Sequence, residues 1–365
     1  MTLRLDSISK KVGLETHIYD TTLELQSGGF NVLLGRTLAG KTTLMRLMAG
    51  LDKPSSGRVI MNGEDITDKP VQKRNVAMVY QQFINYPSMT VYKNIASPLK
   101  IAGLSRVDVD RKVREAAELV HIEQYLDRLP AELSGGQQQR CAMARALVKD
   151  ASLLLFDEPL VNLDYKLREE LRYEMREVFK RSKAIAVYAS TDPVEALSLG
   201  GHTAIVDAGK ILQFGPTSEV FHNPATVEVG KVFSDPPINL LQAHKTEQAL
   251  HIGHDVSVPL AGHLQNLPNG HYQFGIRANH LFARRRSTVD VEIDCVVELA
   301  EIGGSETFIH VQHDQVGMVV QQEGVHEFRI GEALKVYVDP RHFYAFDAAG
   351  KLVAAPDRSS YSHRV

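Results

Sequence analysis

The segment GRTLAGKT, Gly35 to Thr42, constrains the fold more than any other stretch of the chain, because of what flanks it. NVLLG, from Asn31, has the length and branching of a buried strand, and KTTLMRLMAG, from Lys41, has helical periodicity. A glycine-rich turn in that context lets backbone N–H groups curl around a phosphate chain, while the helix N-terminus adds positive potential. The candidate cradle is Gly35, Arg36, Thr37, Leu38, Ala39, Gly40, Lys41, Thr42 and Thr43. In it the Lys41 ammonium is expected to reach the phosphates, and the Thr42 hydroxyl to hold a magnesium ion.

Further apolar runs follow at strand length: NVAMVY from Asn75, SLLLF from Ser152 and AIAVY from Ala184. Helical segments fill the intervals, notably Val107 to Val120, Gly136 to Val148 and Tyr165 to Arg181. This alternation predicts an α/β layered fold. At SDPPINL, Ser234 to Leu240, two prolines break the rhythm, and short alternating strands take over (YQFGIR, VDVEIDCVVEL, ETFIHVQ, GMVVQQ, ALKVYVD). The expected organisation is an α/β domain over 1–235 and a small all-β barrel over 236–365. A chain of 365 residues is long enough for two such cores.

LLLFDE, Leu153 to Glu158, delivers two carboxylates at the end of an apolar strand. Asp157 is expected to join the Mg²⁺ shell and Glu158 to polarise the attacking water as general base. LSGGQQQR, from Leu133, offers Ser134, Gly135, Gly136 and Gln137 as a second anion-binding turn at a helix N-terminus. One nucleotide has no use for two γ-phosphate cradles on one fold. Two copies facing head to tail do.

In this order, the phosphate loop, LSGGQ and LFDEP resemble an ABC ATPase. The resemblance implies ATP and Mg²⁺ as cofactors and a dimer in which each LSGGQ closes the other chain's loop. The partner is a second ATPase subunit, a different chain or another copy of this one. It also implies that Gln81 in VYQQF contacts Mg²⁺ and water, and that Asp164 in VNLD communicates across the dimer. FINYPSMTVYKNI, from Phe83, resembles the surface that grips a permease.

Three departures from the family pattern stand out. Arg36 and Leu38 replace a proline and a glycine of the usual loop. Val12 lies where an aromatic residue normally stacks on adenine, with Tyr19 and His17 as substitutes. YASTDPVEA aligns Thr191 with the family's switch histidine, and threonine cannot carry positive charge or span the same distance. Either a neighbouring group or water takes the histidine's place, or the chain's own site is weakened beside an intact signature; the second case makes the expected assembly a heterodimer with unequal sites.

FGIRANH, VVELAEIGGSETFIHV and VDPRHFYAFDAAGKL resemble the TOBE-type, OB-like barrel of carbohydrate-importer ATPases of the maltose type. TLAGKTTLMRLMAGLD, VQKRNVAMVYQQFINYP and LDYKLREELR resemble ATP-binding subunits of bacterial glycerol importers, the GlpS type. The implied solute is a small polyol or carbohydrate, with glycerol ahead of another sugar or a sugar phosphate such as glycerol-3-phosphate. The implied partners are two transmembrane permease subunits and, through the complex, a periplasmic solute-binding protein. The resemblance implies a peripheral location on the cytoplasmic face of the bacterial inner membrane; no run approaches the roughly 18 apolar residues of a membrane span, so separate subunits are expected to supply the span. Cys141 and Cys295 have no metal-type spacing and read as reduced structural thiols. Nucleic acid is not an expected partner: the net charge is -3, and from Pro236 onward 11 Lys and Arg face 15 Asp and Glu.

Overall fold

The computed structural model describes residues 1–181, 183–253 and 256–357. These form two compact units, 1–217 and 218 onward.

The first unit runs β1 (Thr2–Val12), β2 (Glu15–Gln26), β3 (Phe30–Leu34), α1 (Lys41–Ala49), β4 (Ser56–Met61), β5 (Glu64–Asp65), β6 (Val76–Val79), α2 (Val91–Ile101), α3 (Arg106–Leu119) and α4 (Gly135–Leu147). It continues with β7 (Leu153–Asp157), α5 (Tyr165–Arg181), β8 (Ile185–Ser190), α6 (Pro193–Leu199), β9 (His202–Asp207) and β10 (Lys210–Pro216). Six strands form one sheet in the order β10-β9-β3-β8-β7-β6, and four form a second in the order β2-β1-β4-β5. In the larger sheet β9, β3, β8, β7 and β6 are parallel, and β10 returns antiparallel.

Parallel strands are covered on both faces, which is why β3, β7 and β8 are buried along their whole length. One apolar core joins the two sheets through Leu44, Met45, Leu47 and Met48 of α1. Each such side chain contributes roughly 1.5–3 kcal/mol on burial, so α1 is held by packing rather than by its short length. Phe179 of α5 packs edge-on against Phe30 at 5.0 Å and Phe156 at 5.7 Å.

The second unit holds α7 (Thr217–His222), which starts at its border, α8 (Val227–Val232), and strands β11 (Asn239–Lys245), β12 (Ala249–Ile252), β13 (Val256–Pro259), β14 (Gly270–Ile276) and β15 (Leu281–Phe282). After these come β16 (Val291–Ile302), β17 (Glu306–His313), β18 (Val316–Glu323), β19 (Ala333–Val338), β20 (Tyr344–Phe346) and β21 (Leu352–Ala354). Two antiparallel sheets, β13-β12-β11-β14-β20-β21 and β15-β19-β16-β17-β18, share one apolar core, giving the barrel-like all-β architecture expected from the alternating pattern.

The proline break lies inside this unit, not at its edge. Val227 N donates to Gly350 O, Leu352 N donates to Ala225 O, and a further tie is Arg277, a buried residue of FGIRANH. Its guanidinium donates to Phe233 O at 2.8 Å, Ser234 Oγ at 2.6 Å and Phe221 O at 2.7 Å, fastening the segment before the prolines to β14. Cys141 and Cys295 are buried and free, and burial pushes both thiols up to about 12.

Candidate active site

The glycine loop leaves β3 at Gly35 and enters α1 at Lys41. Gly35 has no room for a side chain, since a Cβ there would meet Val206 O at 2.2 Å. Gly40 caps α1 in the left-handed conformation and offers no side-chain cap, and the first turn holds no acidic residue. The four leading N–H groups of a helix have no partner within it, so this end presents donors and positive potential to an anion. Leu38, at φ 66 and almost fully exposed, takes the left-handed conformation in which a side chain costs about 1–2 kcal/mol.

The carboxylates arrive from the neighbouring strand end. Asp157 closes β7, and its Oδ2 accepts from the Thr42 hydroxyl at 2.8 Å. Glu158 follows at φ 48, another left-handed step, and its Oε1 lies 3.4 Å from Lys41 Nζ. Gln81, just beyond β6, donates from Nε2 to Glu158 Oε2 at 3.2 Å. Lys41 Nζ also donates to Gly35 O at 2.7 Å and Arg36 O at 3.0 Å.

Burial pushes the Lys41 ammonium below the usual lysine range, with Glu158 and Asp157 pulling it back up. Burial likewise raises the Asp157 carboxyl, opposed by the Thr42 hydrogen bond and assisted by the charge of Glu158. The site thus holds charges that the fold itself does not fully compensate. That is a usual property of a ligand site.

Thr37 to Thr43, Gln81 and Glu158 line one cleft of about 710 Å³ together with Glu15, Thr16, His17, Tyr19, Ala208 and Gly209. Tyr19 and His17 are on its wall and Val12 is not. The β1–β2 hairpin turns at Gly13 and brings β2 back, where Tyr19 N donates to Gly209 O at 2.9 Å. Lys210 Nζ sits 4.9 Å from the centre of the Tyr19 ring.

Ser134, Gly135, Gly136, Gln137, Asp164 and Thr191 are not among the residues lining the cleft. Ser134 caps α4: its hydroxyl accepts from Gln137 N at 3.4 Å, and Gln137 Oε1 accepts from Ser134 N at 2.9 Å. Asp164 Oδ1 accepts from Leu167 N at 3.0 Å at the start of α5. Thr191 is exposed just past β8, although its neighbour Ser190 accepts from Gly35 N at 3.2 Å.

Sequence reading missed the polar cluster behind Thr191. Glu195 of α6 is buried and accepts from Ser190 Oγ at 2.5 Å and Tyr188 OH at 3.3 Å, with Arg172 at 3.8 Å. A glutamate on the buried face of a short helix was the available signal.

A strand, a glycine loop running into a helix, and a carboxylate-bearing neighbouring strand define a P-loop nucleotide hydrolase. Residues 18–161 match the family described as ABC transporter, and residues 274–346 match the TOBE domain. The sn-glycerol-3-phosphate import ATP-binding protein UgpC 3 of Agrobacterium fabrum is 35% identical, covering 92% of this chain and 95% of that one. The trehalose/maltose import ATP-binding protein MalK of Thermococcus litoralis is also 35% identical, over 96% and 99%. Among solved structures, the ATP-binding cassette MJ0796, described as a dimer in a post-hydrolysis state bound to ADP and Pi, matches with TM-score 0.55 and 25% identity. It covers 59% of this chain and 98% of its own. This chain belongs to the ATP-binding proteins of the ABC transporter family, ATPases that here carry a C-terminal TOBE domain.

Proposed function

We propose that this chain is the ATP-hydrolysing subunit of a bacterial ABC importer, acting at the cytoplasmic face of the inner membrane to drive uptake of a small polyol or carbohydrate. The observation that carries the reading is the convergence of Lys41, Thr42, Gln81 and Glu158 on one cleft, with Asp157 hydrogen-bonded to Thr42. Lys41 and the N–H groups of residues 35–43 would hold the phosphate chain of ATP. Glu158, turned toward the cleft by its backbone and tied to Gln81, would accept the proton of the attacking water.

The donor set fits Mg²⁺. A hydroxyl and a carboxylate 2.8 Å apart are hard oxygen ligands, and Mg²⁺ commonly takes only one or two such groups beside substrate phosphates and water. Thr42 and Asp157 would hold it, with Gln81 close by. Bound there, it would neutralise charge developing on the phosphates.

Ser134, Gly135, Gly136, Gln137 and Asp164 would serve a partner ATPase's cleft, which is consistent with their absence from this chain's own. Exposed Thr191 in place of a cationic side chain favours a partner that is a different chain with a complete site. The permease surface is read at Ile84, Tyr86 and Met89, exposed apolar residues on a loop that Asn94 pins through Tyr86 and Met89. No helix among the described residues is long and apolar enough to cross a membrane. We place two permease subunits and a periplasmic solute-binding protein in the complex.

Glycerol is the solute we favour. Glycerol-3-phosphate is the main rival, named in relatives that are 32–35% identical. ATPase activity of the reconstituted complex, measured with each solute and its binding protein, decides between them. Stimulation by glycerol alone supports the reading, and stimulation by glycerol-3-phosphate alone replaces it.

A further inference from the structure

The second unit carries a row of three histidines that the reading above leaves unused. His244 of β11 lies directly opposite His251 of β12 on one side and His271 of β14 on the other. Directly opposed residues of antiparallel strands share a face. Here that face is outward: Ala243 and Lys245, flanking His244, are buried, while all three histidines are exposed. The His244 and His271 rings already lie 4.6 Å apart, tilted by 42°.

Their neighbours on that face are neutral. Ser257 of β13 stands opposite His251, and Gln242 and Gln273 form the next facing pair. No carboxylate in this group of six competes for the imidazoles. The core does not need them either, since β11 and β14 are packed through Leu241, Ala243, Phe274 and Ile276.

We propose that this row is a binding site for a borderline transition-metal dication such as Zn²⁺, Ni²⁺ or Cu²⁺, with His244 as the shared ligand. Neutral imidazole nitrogen suits these ions, whereas Mg²⁺ takes oxygen. Opposed Cβ atoms lie about 4.5–5.5 Å apart, and metal–nitrogen bonds of about 2.0–2.1 Å require nitrogens roughly 3.3 Å apart. Exposed rings reach that spacing by rotating about their side-chain bonds. Across two strand spacings, His251 and His271 stand roughly 10 Å apart, so either one chelates only together with His244. In the present side-chain positions no trio of His, Cys, Asp and Glu among the described residues is arranged to hold a metal. The site forms when the exposed rings turn toward one another. A bound ion then ties β11 to β12 or to β14 across the sheet.

The test is calorimetric titration of the full-length protein with ZnCl₂, alongside His244→Gln, His251→Gln and His271→Gln. The expected wild-type result is saturable binding of one ion and a rise in unfolding temperature with added metal. His244→Gln should weaken binding by at least about tenfold, the scale of loss when a metal site loses support, and should remove the thermal shift. Each outer substitution should cost less. The imidazole nitrogen signals of the wild type, followed by NMR during titration, read the same site without any variant, and these three should move first. Failure of the wild type to bind Zn²⁺, unchanged affinity in His244→Gln, or movement of other histidines first would overturn the proposal.

Discussion

β7 and β8 lie side by side in one parallel sheet, yet their C-terminal ends send their polar groups in different directions. At the end of β7, Asp157 and Glu158 reach Thr42, Lys41 and Gln81 across the cleft mouth. At the end of β8, Ser190 turns to Glu195, and Asp192 caps α6 by accepting from Val194 N at 2.7 Å. The first set of bonds faces a place where a ligand can sit. The second closes on itself and leaves Thr191 outside. What separates the two ends is the next backbone step: a left-handed residue at Glu158 aims a carboxylate at the phosphate loop, while a helix start at Pro193 draws the chain away. A strand end in an open parallel sheet is therefore only an opportunity for a site.

The largest expected effect, complete loss of nucleotide-dependent dimer closure, comes from removing the cation that the β7 end faces. Lys41→Ala should weaken ATP binding roughly tenfold to a hundredfold, the 1.5–3 kcal/mol of a charge-assisted hydrogen bond, and should abolish nucleotide-dependent dimer closure. Wild-type affinity and closure in the mutant would break the assignment.

Next is the inequality of sites. In the full complex, the substitution in the partner equivalent to Glu158→Gln should lower turnover by about 10²–10⁴-fold, whereas Glu158→Gln in this chain should leave much of it. Equal losses from the two, or a fully active homodimer of this chain, would show that Thr191 is no handicap.

A smaller effect should appear in stability. Burial raises the Asp157 carboxyl, so the folded state binds its proton more tightly than the unfolded chain does. Stability therefore falls as pH rises from the ordinary aspartate value through the raised one, and at neutral pH the ionised group is a net cost. Asp157→Asn keeps an acceptor for Thr42 and removes that charge. Calorimetry should show unfolding a few degrees higher than wild type and a flatter pH dependence over that window, with hydrolysis lost. A lower unfolding temperature would mean that the cluster is compensated after all.

The smallest effect is expected at the β8 end. Glu195 is also raised by burial, but it has Ser190, Tyr188 and Arg172 as partners. Glu195→Gln should shift the urea midpoint by less than about 1 kcal/mol equivalent. A shift larger than that of Asp157→Asn would reverse the comparison.

The β7 end was legible in the sequence because its chemistry is local. Lys41 and Thr42 sit in one loop, and Asp157 and Glu158 are adjacent at the end of an apolar run. The α/β pattern and the strand-rich second half were legible for the same reason, since periodicity is a short-range property. Features set by long-range register were not. Tyr19 and His17 were legible as candidates, but their place on the cleft wall follows from the β1–β2 hairpin folding back. The compact unit reaches back to residue 218 through long-range contacts: Arg277 to Phe221 and Phe233, Val227 N to Gly350 O, and Leu352 N to Ala225 O. The histidine row exists only once three strands have chosen their pairing.

The placing of β3 has a consequence for synthesis. Its two sheet partners are β8 and β9, so Asn31 waits for Val187 on one side and His202 on the other. A chain emerging from the ribosome N-terminus first carries its phosphate loop on a strand that lacks β8 until residue 190 is free and lacks β9 until residue 207 is free. Up to that point ATP has no formed cleft to bind and cannot act as a folding ligand. A nascent chain that stalls earlier exposes the unpaired edges of an apolar strand, a state prone to aggregation, and chaperone capture should peak in that window.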